Sequence, residues 1–169
     1  KYLTMTQMES LLAEFQMEAK ITRNMLERIP DDKFDYKPHD KSFSMGKLAG
    51  HIAEIPGWVE VSIEADELDF ATFKYIPPDV KNKEELLAFF DKCIADASEV
   101  FKRNSDERLS ENWTMRQGET VYFSTNKAGV IRAFVLSHLI HHRGQLSVYM
   151  RINDIPLPSV YGPTADEQM

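Results

Sequence analysis

The chain has 169 residues, 43% of them hydrophobic and 28% charged, with a formal net charge of −7. That length suggests one domain spanning residues 1–169, able to bury a core without disulfide staples. The acidic balance, without any basic run, argues against nucleic acid or an anionic membrane as the main partner, and no apolar stretch approaches a membrane span.

Four helical patterns occur along the chain. The first runs from about Leu3 to Ile29, where Met8, Leu11, Leu12, Phe15, Ala19, Thr22, Leu26 and Ile29 keep one apolar stripe. Pro30 and Asp31-Asp32 stop it, and a loop with Pro38 and His39 comes next. The second starts near Ser44, a good N-cap residue, and Leu48, His51, Ile52, Ile55, Val59 and Ile63 share its face. Pro56-Gly57 falls inside this pattern and predicts a kink, because proline removes a helical hydrogen bond.

Ala71 to Val80, with Pro77-Pro78, reads as a long crossover. The third helix opens with Asn82 and Glu85 at N-cap and N3, and its stripe is Leu86, Phe89, Phe90, Cys93, Ala97, Val100 and Phe101. Cys93 is the only cysteine, so an intrachain disulfide is excluded and a reducing, cytoplasmic compartment fits; no signal-peptide pattern is found near the N-terminus. Its apolar neighbours predict a buried, unreactive thiol. Asn112 to Ser124 breaks the helical period, and the runs flanking Gln117-Gly118 predict a small β-hairpin. The fourth helix runs from about Lys127 to Ile152, with Ile131, Phe134, Val135, His138, His142, Gln145 and Tyr149 on one face, before an irregular tail from Ile155.

Four of the five histidines fall in two helical patches. His138 and His142, at i and i+4, lie one turn apart on one face, within reach of a common ion. His51 on a facing helix would complete a set of three, and three protein ligands leave a position open for water or substrate. The alternative is three core histidines, each satisfied by a backbone or carboxylate partner. His141 competes for the register, but the stripe favours His142 and leaves His141 flanking or exposed. Glu54 lies one turn beyond His51 and is able to orient an imidazole, bind a metal or serve as a base; a solvated helix-face carboxylate is the plainer expectation. Arg143 reads as a surface or ion-pairing residue rather than a substrate clamp. Trp58, Trp113, Tyr149 and Tyr161 read as core or interface groups. No glycine-rich phosphate loop, GxSxG, CxxC or ExxH motif is present, and no catalytic residue beyond the histidines is singled out.

Three segments carry a resemblance over nearly the full length: Asp32–Pro38 with Ser44–Glu54, the run His138-Leu139-Ile140-His141-His142-Arg143-Gly144-Gln145-Leu146, and the tail Ile155–Glu167. With them the chain resembles the DinB-like (DinB/YfiT) superfamily of metal-dependent enzymes. The resemblance implies an all-α fold, a four-helix bundle with a long crossover, with one histidine on helix two and an HxxxH pair on helix four. Carried over, the metal ligands are His51, His138 and His142, and the ion is divalent, nickel or zinc. Several relatives transfer low-molecular-weight thiols or isomerise with a thiol cofactor, and relatives often form homodimers, for which Trp58 or Trp113 would be the anchor. The name's link to DNA damage concerns regulation and implies no binding to nucleic acid.

Three functions fit the sequence at this point. One is a metal-dependent enzyme acting on a small-molecule substrate, such as a thiol S-transferase. Another is a metal-dependent hydrolase. The last is a non-catalytic metal- or ligand-binding module.

Overall fold

The structure is a computed structural model that describes residues 5–168. It is mostly helical, with one small mixed sheet. Helix α1 spans Gln7–Leu26, capped by Thr6 in a reciprocal box with Glu9, so the expected start near Leu3 lies outside the described residues. Helix α2 is Met45–Glu54 and α3 is Trp58–Glu64; a 3-10 turn at Ile55–Gly57 separates them, with Pro56 where the helical hydrogen bond is lost. Helix α4, Lys83–Arg103, starts at Asn82, whose side chain accepts from the Glu85 N–H at 2.9 Å. A short α5 spans Asp106–Ser110. The last helical run joins α6 at Lys127–Val130, a π-helical stretch at Ile131–Ser137, and α7 at His138–Ile152. None of the helices is long and apolar enough to cross a membrane, among the described residues.

The expected hairpin is present: β2, Asn112–Gln117, pairs antiparallel with β3, Thr120–Asn126, around Gly118 at φ 58°. An all-α reading with at most a hairpin is nevertheless corrected. A third strand, β1 at Glu67–Asp69, pairs parallel with β2 and makes a three-stranded sheet in the order β1-β2-β3. Its three residues, Glu-Leu-Asp, are too short and too acidic to announce a strand. Only the pairing with β2 defines it.

The main core joins Leu11, Phe15 and Leu26 of α1 to Leu48 and Ile52 of α2, Phe90 and Phe101 of α4, and Leu139, Leu146 and Met150 of α7. The stripe expected on the last helix is revised here. Leu139, Arg143, Leu146 and Met150 form the buried face of α7, while His138, His142 and Tyr149 are only half-buried. The π-helical stretch breaks the regular 3.6-residue period, so extending the stripe from Ile131 picks the face toward α2 rather than the deep one. A second cluster ties the sheet to the helices through Leu68, Trp113, Met115 and Val130, with Trp58 and Phe134 packed on it. Trp113 is 0% exposed and donates its indole N–H to the Val61 carbonyl at 3.0 Å. It is therefore a core residue and cannot serve as a dimer anchor, which corrects that expectation. Lys127 is likewise fully buried, with its ammonium 2.9 Å from Asp66 and 2.8 Å from Glu111.

Because Trp113 fills the space between sheet and helices, Trp113→Ala should cost about 3–5 kcal/mol by the usual cavity penalty. Urea unfolding followed by circular dichroism measures it. A loss below about 1 kcal/mol would show that the sheet contributes little to the global fold.

Candidate metal centre

Helix α2 presents His51 from its second turn, and α7 presents His138 from its first residue and His142 one turn later. The two helices pack together, and the three imidazoles meet between them. His51 Nε2 is 3.3 Å from His138 Nε2. Ring centroids are 4.7 Å apart for His51 and His142, 4.7 Å for His138 and His142, and 5.1 Å for His51 and His138. One nitrogen from each of the three lies within 4.8 Å of the others.

The opposite ring nitrogens are all engaged. His51 Nδ1 is 2.5 Å from Glu54 Oε1, His142 Nδ1 is 2.7 Å from Gln145 Oε1, and His138 Nδ1 is 3.3 Å from the Phe134 carbonyl. Every one of these partners is an acceptor, so each Nδ1 carries the proton and each Nε2 keeps its lone pair. The lone pairs then converge on one point. Two bare nitrogens facing at 3.3 Å repel each other unless a cation or a shared proton lies between them. A cation is the better match, since a second proton on His51 serves only one of the other two rings. The donor set thus fits a divalent ion, with orienting acceptors behind each ligand as metal-binding histidines have.

Glu54 is not the solvated carboxylate that its helix position suggests. It is 9% exposed, and the Tyr75 hydroxyl donates to the same Oε1 at 2.5 Å. Tyr75 lies on the crossover and is absent from the residues singled out by sequence; aromatic residues in an irregular segment give no spacing signal. Burial and the hydrogen bond to Glu54 both raise the Tyr75 pKa, keeping the phenol protonated as a donor. Phe134 stacks on His138 at 6.0 Å and Phe43 meets His51 edge-on at 6.3 Å. His141 is exposed and lies outside the cluster, as the stripe predicts, and His39 is an exposed loop residue.

Arg143, next to His142, points away from the cluster. It is 2% exposed and pairs with Glu18 at 2.7 Å, while Thr22 Oγ1 at 3.0 Å and the Tyr161 hydroxyl at 2.6 Å accept from it. It is an ion-pairing residue, as expected, but a buried one. Cys93 is 9% exposed, and burial pushes its thiol up to about 11, which leaves it unreactive.

The sequence profile of the DinB family matches residues 4–168. This chain belongs to the DinB family. It is 23% identical over 167 residues to the uncharacterized protein YrdA of Bacillus subtilis, covering 95% of this chain and 91% of that one. Against the uncharacterized protein YjoA of the same organism it is 24% identical over 149 residues, covering 87% and 91%. The crystal structure of a DinB-like protein from Bacillus cereus superposes with a TM-score of 0.71 at 20% identity, covering 94% of this chain and all of that one, 100%. The YjoA crystal structure gives 0.68 at 19% identity, covering 95% and 99%. At these identities the solved DinB-like structures support the fold.

Burial, and then the positive charge His142 and His51 would carry, pushes His138 from 6.5 down to about 4; burial also lowers His142. An unfolded chain takes up a proton at this position near pH 6.5, whereas the folded one waits until about 4. The unfolded state therefore binds more protons in that interval, and the stability of the metal-free protein falls as pH drops from about 6.5 to about 4. Urea midpoints at neutral and acid pH should show the fall, and His138→Gln should reduce it. An unchanged pH dependence in that variant would contradict a desolvated His138.

Proposed function

We propose that this DinB-family protein is a metal-dependent enzyme, in which His51, His138 and His142 hold one divalent ion, nickel or zinc. We read its reaction as transfer of a low-molecular-weight thiol onto a small electrophilic substrate. The observation that carries the reading is that one ring nitrogen from each of the three histidines lies within 4.8 Å of the others, while the partners of their Nδ1 atoms are all acceptors. In this reading α1, α2 with α3, α4, and α6 with α7 are the four helices of the family's bundle, and the segment from Ala71 to Val80 is its crossover.

When bound, an ion on three neutral imidazoles supplies a Lewis-acid position that lowers the pKa of a thiol or a water. The protein's own residues do the rest. Glu54 and Gln145 fix the rings of His51 and His142, and the Phe134 carbonyl fixes His138. Phe43 and Phe134 flank the centre with apolar surface, which limits water. In the transfer a sulfur–carbon bond forms, the thiol proton passes to solvent, and the leaving group departs with its electron pair.

One observation favours this over hydrolysis. Even with its pKa lowered by an ion, a water attacking an ester or amide is helped by a general base that passes the proton on to the leaving group, and Glu54, the carboxylate hydrogen-bonded to the cluster, is already held between His51 and Tyr75. A thiol, with an ordinary pKa near about 8.5, ionises near neutral pH with help from charge alone.

Elemental analysis should find about one ion per chain, lost with His51→Ala, His138→Ala or His142→Ala and kept with His39→Ala or His141→Ala. Glu54→Gln should weaken binding roughly 10- to 100-fold, the usual cost of losing an outer hydrogen-bond partner. A screen of cellular-type thiols against electrophiles should show turnover by the loaded protein, none by His142→Ala, and no change with Cys93→Ser. Ester or amide turnover without added thiol would transfer the assignment to a hydrolase. Activity equal to His142→Ala on every substrate would favour a binding module.

A further inference from the structure

His51, one of the three clustered histidines, lines a cleft of about 500 Å³, a common size for a small-molecule site. One wall is α2, with Lys47 and His51 one turn apart on the same face. The other is the crossover, with Tyr75 and the pair Pro77-Pro78. Phe43 stands at the mouth and is 54% exposed. Apolar area of this kind left open beside a polar centre is what a partly apolar ligand would cover.

The charges in this cleft are unevenly matched. Asp79 lines it, but its carboxylate is held by the Lys81 ammonium. The Lys47 ammonium makes no ion pair or side-chain hydrogen bond among the described residues; only its backbone N–H is engaged by Ser44. His51 joins the cleft to the cluster, whose three imidazoles are neutral, so the charge of an ion held there would be offset only by Glu54 behind His51. The cleft therefore has an uncompensated positive group at its side and apolar walls between.

We propose that this cleft is a substrate pocket for small molecules that join an apolar body to an acidic group. Lys47 takes the carboxylate, sulfonate or phosphate. The apolar body lies between Phe43 and Pro77-Pro78, and the reacting end reaches the histidine cluster. The proposal rests on the metal-centre reading for the chemistry at that end, and on the cleft alone for the binding.

Two fluorescent probes separate the contributions. The dyes 8-anilino-1-naphthalenesulfonate and N-phenyl-1-naphthylamine share one aromatic body, and only the first carries an acidic group. Both are titrated against the metal-loaded full chain, with metal content measured in parallel. The sulfonate should bind more tightly than the neutral probe. Lys47→Gln should weaken the sulfonate roughly fivefold, near the upper range for a partly exposed ion pair, and leave the neutral probe unchanged. Phe43→Ala should weaken both. Lys102→Gln, in the separate cleft between the start of α1 and the end of α4, should change neither. Equal binding of the two probes, an unaffected sulfonate in Lys47→Gln, or an effect of Lys102→Gln instead would overturn the pocket. A chain that holds no metal but keeps the Lys47-dependent preference refutes the metal centre and leaves the pocket standing; a metal-loaded chain without that preference refutes the pocket alone.

Discussion

Three imidazole lone pairs turned toward one point, partly out of water, are unfavourable by themselves, and the fold holds them there. Each ring has one free nitrogen because its other nitrogen is committed to a fixed acceptor. Without those acceptors the rings would rotate, and the free nitrogens would find water or each other's protons. The acceptors come from different sources: a carboxylate one turn on, an amide one turn on, and a main-chain carbonyl. Only the last depends on unusual backbone, since Phe134 lies in the π-helical stretch that leads into His138. Such stretches recur at functional sites, where the wider turn re-aims the side chains of the next turn.

The helix carrying two of these rings is held at two points by buried charge. Near the start of its helical run, Lys127 is locked between Asp66 and Glu111, which binds that run to the sheet. Further along, Arg143 and Glu18 are each almost fully buried and paired, and the Tyr161 hydroxyl donates to Glu18 at 2.8 Å. A pair buried on both sides, as Arg143–Glu18 is, adds little net stability over apolar packing, but removing one partner leaves an uncompensated charge, at about 3–5 kcal/mol. Its effect is therefore on placement. An apolar contact tolerates sliding by a fraction of a turn, whereas a guanidinium with three fixed acceptors does not. Rotation of α7 that would carry His138 and His142 away from α2 would have to break the Arg143 network.

Much of this is legible in the sequence because helices announce themselves by period and cap. Asn82 with Glu85 marks the start of α4, Pro56 marks the break between α2 and α3, and the stripe along the last helix favours His142 over His141 where spacing alone allows either. The features that escape a sequence reading lack a local signal. Strand β1 exists only through its partner, three residues too few for their alternation to count as a signal. The deep face of α7 is hidden because a π-helical stretch has no sequence mark that shifts the period. Glu54 looks like any surface carboxylate because the group that covers it, Tyr75, comes from an irregular segment that tertiary packing alone brings back. Lys127 and Arg143 are buried against the ordinary preference of their types, and only their partners from distant segments explain it.

Tyr75 also joins the two halves of the site. Its hydroxyl and the His51 ring donate to the same oxygen of Glu54, both at 2.5 Å. Two donors sharing one carboxylate oxygen each withdraw part of its charge. Moving the phenol away returns that charge to the bond with His51, strengthens it, and makes the free nitrogen of the imidazole more basic. Tyr75 lines the cleft and belongs to the crossover, whose backbone has no regular structure between Ala71 and Val80. A molecule pressing on that wall therefore acts on the same hydrogen bond that orients His51. The path is short, one hydroxyl and one carboxylate, and needs no rearrangement of the core. The residues that shape the cleft and those that tune the cluster are in this sense one assembly, built on α2 and closed by the crossover.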